Sequence, residues 1–465
     1  EARRYTFNYG VGFEVQTGFG VTNCPGPSNS PTVLRCKAQV AATSNLGWGP
    51  RVAFDLSRLN FRGRDHTITL NASYGKLVQR ASASYQAPRW LDRENLKLIF
   101  NGYYDNSHEI STFKSQRIEG SAQVEQRWSR ITTTLYRFTY RLVKASEIEG
   151  CTTTTTSTGA QCSSSPVLSL TEIPLLSEPV RVGMPSFGYI RDKRDSDLQS
   201  TRGNFTTGDV GVASGIFGSQ ANFLRSYIQN STYVSFKLAG SSWVLARSTQ
   251  IGVEQPIGSG LNVAPPASST TPCNPALNNG SNAGCNSIIP LAERFFAGGS
   301  SSLRAYSLNQ AGPRDPVSGD PIGGAGLFVN MIELRTPPLV LPYIQDNLSL
   351  VLFEDAGNVF ANASDIFPSL GRWHQTNLTQ CVAAAQLNST GTCDFNYLTH
   401  AVGLGLRYKT PIGPVRLDLA YTLNPPYYAE RDLICLPTEV CPANQPSPFR
   451  RLSHFNFFFS VGQTF

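Results

Sequence analysis

Tyr5-Thr-Phe-Asn-Tyr-Gly-Val-Gly-Phe-Glu-Val-Gln-Thr-Gly-Phe19 sets the period that the rest of the chain follows. Tyr5, Phe7, Tyr9, Val11, Phe13, Val15 and Phe19 take the odd positions, while Thr6, Asn8, Gly10, Gly12, Glu14, Gln16 and Gly18 take the even ones. An extended backbone turns successive side chains to opposite faces, so this alternation predicts one strand over residues 5–19 with an oily face and a wet one. A strand of a soluble sandwich spans about 5–6 residues, whereas one that crosses a bilayer needs about 9–11. The length of the run favours the bilayer.

The same pattern returns along the chain. Ile68, Leu70, Ala72 and Tyr74 alternate with Thr69, Asn71, Ser73 and Gly75. Ile118, Ala122, Val124 and Trp128 oppose Arg117, Glu119, Ser121, Gln123, Glu125 and Arg127, a polar face whose mixed charges suit a water-filled lumen. Val402, Leu404, Leu406 and Tyr408 alternate with Gly403, Gly405 and Arg407, and Val415, Leu417, Leu419 and Tyr421 with Arg416, Asp418, Ala420 and Thr422. The last segment, 453–465, sets Phe455, Phe457, Phe459, Val461 and Phe465 against Asn456, Ser460, Gly462 and Thr464. So aromatic an edge strand would aggregate in water, and in a bilayer it is the lipid face. Taken in order, the segments number about sixteen, an even count as in bacterial barrels. The expected fold is all-β: a transmembrane antiparallel β-barrel occupying residues 1–465 as one domain.

Composition agrees. Of 465 residues 40% are hydrophobic, the mean hydropathy is −0.19, and no apolar run is long enough for a membrane-spanning helix. The net charge of +7 is scattered rather than clustered, which gives no footing for nucleic acid. Short connections such as Trp128-Ser129-Arg130, Ala239-Gly240-Ser241 and Thr410-Pro-Ile-Gly-Pro414 contrast with long Pro/Ser/Thr/Asn/Gly-rich ones. The ten cysteines fall within the long kind as local pairs: Cys24 with Cys36, Cys151 with Cys162, Cys273 with Cys285, Cys381 with Cys393, and Cys435 with Cys441. They lack the CxxC spacing and nearby His of a zinc site, so disulfides stapling external loops in an oxidising compartment are expected, and no metal. Each pair is expected in an odd-to-even connection, on one side of the membrane. The five histidines are scattered and no GxSxG elbow occurs, so no enzymatic activity and no cofactor are expected.

One connection, about 257–326, reads differently. Arg294-Phe-Phe-Ala-Gly-Gly-Ser-Ser-Ser-Leu-Arg-Ala-Tyr306 has a side-chain-poor tip at Gly298 and Gly299, then Arg304 and Tyr306. Small residues let backbone enter a narrow space, and one Arg offers a planar fork to a buried carboxylate. The loop is expected to fold back into the lumen.

These residues resemble the BamA/TamA outer-membrane assembly superfamily, the bacterial surface-antigen barrel. Gly298 to Tyr306 is similar to its Gly-Gly…Arg-Gly-(Tyr/Phe) loop, Met331-Ile-Glu333-Leu-Arg335-Thr-Pro337 to the following strand, and Val351-Leu-Phe-Glu-Asp355-Ala-Gly357 to the Phe-x-Asp-x-Gly strand. Gly403 to Asp418 and the terminal Val461-Gly-Gln-Thr-Phe465 complete the series in family order. The resemblance implies sixteen strands, a sixth outer loop inside the lumen, and an ion pair of Arg304 with Asp355 and Glu333. Where the family has Gly after the Arg this chain has Ala305, which would be strained at positive φ. It also implies a place in the bacterial outer membrane and a role in inserting unfolded outer-membrane protein clients, with periplasmic POTRA domains and accessory lipoproteins as partners. POTRA repeats are not found in this chain, which reads as a trimmed piece or a barrel-only relative. The expected working seam lies between the first strand (Tyr5, Phe7, Tyr9) and the last (Phe457, Phe459, Phe465), with the glycines of the first strand weakening it. Rival readings are a two-partner-secretion polypeptide transporter and a passive channel or surface scaffold.

Overall fold

A computed structural model describes residues 4–15, 48–75, 78–107, 113–146, 179–196, 200–257, 289–314, 321–341, 345–376, 393–410, 413–429 and 449–461, with a few residues between these ranges. Sixteen long strands form one antiparallel sheet. They are β1 Tyr5–Val15, β2 Trp48–Phe61, β3 His66–Gly75, β4 Val78–Pro88, β5 Leu96–Ser107, β6 Lys114–Arg127, β7 Thr132–Ser146 and β8 Val180–Asp192. There follow β9 Gly203–Ala213, β10 Phe223–Leu238, β11 Ser241–Pro256, β12 Gly326–Arg335, β13 Gln345–Phe360, β14 Thr399–Thr410, β15 Gly413–Thr422 and β16 Phe455–Val461. Each pairs with the next in sequence, and Leu339–Leu341 extends β12 along β13. Strands of up to 16 residues, as in β10 and β11, are longer than a bilayer crossing demands and project beyond it.

The two faces match the alternation. Tyr9 on β1 is 75% exposed and Phe455 on β16 is 64% exposed, and Leu404, Leu419, Phe457 and Ile118 also point outward. The inner face carries ion pairs such as Arg80 with Asp105 at 2.6 Å and Arg117 with Glu119 at 3.2 Å. Phe458 departs from the pattern. It faces inward and packs on Phe353 and Ala420, so β16 contributes to the interior as well as to the lipid face.

One segment inside the sheet shows how far the sheet curls. Ile289 packs on Val143 of β7, Val182 of β8 and Phe223 of β10. Farther along the same connection, Ala305 and Tyr306 pack with Val329, Val359 and Ala401 of β12, β13 and β14. The Asn456 amide of β16 donates to the Ala305 carbonyl at 3.1 Å. A connection that touches both walls at once requires the sheet to wrap around it. Among the described residues β1 pairs with β2 and β16 with β15, and no backbone pairing joins β1 to β16.

All five cysteine pairs sit between an odd strand and the next even one, as expected, because the sheet is antiparallel and such connections share one end. The expected short turns, at 128–131, 239–240 and 411–412, lie at the other. Cys393 is disulfide-bonded. The side chain of Cys381, its expected partner, lies outside the described residues. So do the side chains of the other expected pairs: Cys24 with Cys36, Cys151 with Cys162, Cys273 with Cys285, and Cys435 with Cys441. Residues 16–47, which include the end of the expected first strand, and the terminal Phe465 also lie outside them.

A charge on the outer face tests the orientation of the strands. Leu404→Arg is expected to lower stability by about 2–4 kcal/mol, the cost of Arg on a lipid face near the bilayer middle, whereas Ser121→Arg on the inner face costs less. Urea titration of folding into lipid vesicles measures both.

Candidate functional site

The connection between β11 and β12 enters the lumen because its own residues leave room for it and supply a reason. Gly298 has φ 124°, and a Cβ there would meet the Ser307 carbonyl oxygen at 2.1 Å. Gly299 has φ 97° and donates its N–H to the Tyr306 carbonyl at 2.9 Å, which folds the tip on itself. That fold delivers Arg304, 1% exposed, to the inner wall.

There the guanidinium meets carboxylates from separate strands. Arg304 Nε donates to Asp355 Oδ2 at 2.7 Å and Nη2 to Oδ1 at 2.8 Å, a bidentate pair, and the Arg304 backbone N–H reaches the same carboxylate at 3.0 Å. Nη1 donates to Glu333 Oε1 at 2.9 Å and lies 3.9 Å from Asp418 Oδ2. The Phe353 ring lies under the guanidinium, 3.5 Å from Cζ to the ring centre, a cation–π contact on the face not used for hydrogen bonds. Arg335 holds Glu333 Oε2 at 3.0 and 3.1 Å, and Arg407 holds Asp418. A buried cation is tolerated only when matched and hydrogen-bonded in this way.

Tyr306, also buried, shares a 2.6 Å hydrogen bond with Thr399 Oγ1. Ala305 is not among the described residues with positive φ, so the expected strain is absent. Its carbonyl instead accepts from Thr422 Oγ1 at 2.8 Å, a tie to β15. Gly357 is adjacent to the ion pair rather than part of it, since a Cβ there would meet the Phe328 carbonyl oxygen of β12 at 2.5 Å. The structure thus gathers Arg304, Tyr306, Gly298, Gly299, Glu333 and Asp355 at one place, with Gly357 beside them. Tyr5, Phe7, Tyr9, Phe457 and Phe459 lie on the outer face at the ends of the sheet.

Sequence reasoning missed part of the cluster. Arg407 and Asp418 stand at the inward phase of strands whose outward residues were already assigned, and that phase was the signal available; Arg335 and Phe353 lie in strands read through the resemblance, with no face assigned. It missed a second ion cluster altogether. Glu293, at the entrance of the inserted segment, is buried against Arg141 of β7, whose Nε donates to Oε1 at 2.8 Å while Nη2 engages Oε2. Arg225 of β10 lies 3.6 Å from Glu293 and 3.5 Å from Glu254 of β11. Burial by itself pushes the Glu293 carboxyl up, but the field of Arg141, with Arg117 and Arg225, outweighs it and holds the group below its ordinary 4.5.

The chain matches the Omp85 superfamily domain over residues 60–465. It is 30% identical over 142 residues to the outer membrane protein assembly factor BamA of Nitratidesulfovibrio vulgaris, a stretch covering 29% of this chain and 13% of that one. It is 26% identical over 251 residues to a SAM50-like protein of Schizosaccharomyces pombe, covering 53% of this chain and 41% of the relative. The chain therefore spans less than half the length of either curated relative. Among solved structures, BamA of Haemophilus ducreyi lacking POTRA domains 1–3 superimposes with a TM-score of 0.63 at 16% identity, covering 98% of this chain and 70% of that one. The likeness is of fold.

Arg304→Ala leaves Asp355 buried without its bidentate cation, while Glu333 keeps Arg335, so a loss of about 3–5 kcal/mol is expected. It would be read by urea unfolding and by heat-modifiable gel mobility. Arg304→Lys is expected to recover little, since an ammonium cannot bridge two carboxylates as a planar fork. The Glu293 group has its own pH signature. Its folded value is depressed, so its contribution is present above about pH 4.5 and fades as pH falls through the lower folded value. Arg141→Met should flatten that acid limb of the stability curve.

Proposed function

The chain belongs to the Omp85 superfamily and is an outer-membrane β-barrel, and from that premise we propose that it is the barrel of an assembly factor that inserts unfolded β-barrel clients into the membrane. The observation that carries this reading is a loop packed inside the barrel together with end strands that no backbone pairing joins among the described residues. The inserted loop packs apolar side chains against the inner wall of the barrel and is tied down by two ion clusters. β1 and β16 meanwhile have one strand partner each among the described residues. A barrel blocked along its axis and weak along its side favours lateral over axial passage.

In this mechanism an incoming client strand pairs with the free backbone of β1 or β16 by β-augmentation, the mode in which main-chain hydrogen bonds give affinity and alternate side chains find their own faces. The glycines of β1 lower the cost of opening. A Cβ added at Gly10 would meet nothing within 4 Å, so packing does not require Gly there, while its lack of a side chain weakens the strand. Transfer of apolar strand faces from water to lipid supplies the driving force, with no nucleotide or cofactor. The clasp at Arg304 holds the loop while the seam works. Clients would be delivered by periplasmic POTRA domains and accessory lipoproteins, as the relationship to BamA suggests.

A polypeptide transporter of the two-partner-secretion type would have to withdraw the loop, and a passive channel would need an open axis. Conductance in planar bilayers separates these. Small, unsteady openings are expected, and large stable pores in the intact chain would favour a channel. The seam is tested with Asn8→Cys and Asn456→Cys together, or neighbouring pairs where these do not crosslink. Crosslinking β1 to β16 is expected to stop client insertion into liposomes, with recovery on reduction beyond that of the parent protein treated alike. Normal insertion by a verified crosslinked barrel removes the seam from the mechanism.

A further inference from the structure

A polar island interrupts the apolar rows of the outer face on β9 to β12, and beside it, on the same face, Glu354 of β13 lies 3.0 Å from His400 Nδ1 of β14. On β10 and β11 Val234 stands opposite Leu245, 52% and 42% exposed, and farther from the 239–240 turn Ile228, 48% exposed, stands opposite Ile251. Between these apolar rows lie two polar ones, Thr232 opposite Arg247 and Asn230 opposite Thr249. The neighbouring strands widen the island, with Thr206 of β9 opposite Asn230 and Asn330 of β12 opposite Thr249.

The island is organised. Asn230 Nδ2 donates to Thr206 Oγ1 at 2.8 Å, and Asn330 Oδ1 accepts from both Thr249 Oγ1 at 2.8 Å and Arg247 Nε at 3.0 Å. Arg247 is nevertheless exposed, and a bond at Nε engages one of the five donors of a guanidinium. Strands rise about 3.3 Å per residue and tilt about 40°, which puts Arg247 roughly 18 Å above the short turn, near the middle of an apolar band about 25 Å tall. Acyl chains offer neither acceptor nor counter-charge at that depth.

We infer that this face is an interface and that its occupant is a second copy of the chain. A second copy in the same membrane and the same orientation presents its own island at the same depth, which an unrelated polar surface does only by coincidence. Hydroxyls and carboxamides both donate and accept, so the patch complements itself under a two-fold axis along the membrane normal. With that axis between β10 and β11, Arg247 meets the Thr232 and Asn230 oxygens of the second copy, and the two guanidiniums stay apart. Polar side chains hydrogen-bonded between membrane-embedded surfaces hold such contacts together. Lipid headgroups are set aside by depth. The face lies six strands from β16, so the interface leaves the seam open, and the inference does not depend on the assembly function.

The test is subunit counting by single-molecule photobleaching of the full chain in lipid vesicles at several protein-to-lipid ratios. A monomer–dimer equilibrium is expected. A triple variant combining Asn230→Leu, Arg247→Leu and Asn330→Leu should raise the dissociation constant at least tenfold while keeping heat-modifiable mobility, because apolar residues suit a lipid face. A single Thr232→Cys substitution should give a dimer-sized band with a short bismaleimide. A parent chain that is monomeric at every ratio, a folded triple variant as dimeric as the parent, or no Thr232→Cys crosslink would overturn the inference.

Discussion

A charge that cannot reach water governs the interior of this barrel. Arg304 is delivered by a loop, and its counter-charges come from β12, β13 and β15, three different strands of one wall. The guanidinium is satisfied only when those strands hold their mutual register and the loop tip holds its glycine geometry. A buried ion pair contributes little net stability compared with apolar packing of the same volume, but a broken one is heavily penalised. The clasp therefore acts less as a source of stability than as a selector, favouring one arrangement of loop and wall over others.

The loop is fixed at two stations. Glu293 is held by Arg141 and Arg225 at the entrance, and Arg304 is held by acids at the far end. The polarity is reversed between them, an acid among bases and then a base among acids. Between the stations the loop packs its apolar residues against the inner faces of several strands. Glu254 shows the strain of this crowding, because neither of its buried carboxylate oxygens has a hydrogen-bond partner in the structure, with Arg225 3.5 Å away. The inserted segment is thus held by charge and packing together, whereas β1 and β16 have the fewest partners among the described strands.

Opposite sides of the barrel differ in the same physical terms. Near the ends of the sheet the outer face is aromatic and dry, with Phe7, Tyr9, Phe455 and Phe457 exposed to lipid. Across the barrel the outer face carries hydroxyls, amides and Arg247 at bilayer depth. A lipid environment tolerates the first and not the second. The aromatic outer face at the ends of the sheet and the polar outer face of β10 and β11 thus lie on different strands.

Much of this was legible in the amino-acid sequence. Two-residue alternation is a property of each strand alone, so strand number, lipid face and lumen face followed from it, and the placement of cysteines in one class of connection followed from the count. Arg304 with Asp355 and Glu333 was legible through resemblance, and the geometry of Gly298 and Gly299 through their composition. Other features were not legible. Phe458 escaped notice because it is an apolar residue on the wet face of its strand, where the phase of Phe455, Phe457 and Phe459 had already put it. Arg141 and Glu293 are 152 positions apart, and nothing local in either segment points to the other. The harmless backbone at Ala305 and the roles of Arg407 and Asp418 depended on what stood across the lumen. The sequence by itself determined that each strand has a wet side and an oily side, because that rests on backbone geometry within a few residues. Only the tertiary structure decided which charges meet, since the sheet wrapped around the inserted segment is what brings Arg304 and Glu293 within reach of their partners on the wall.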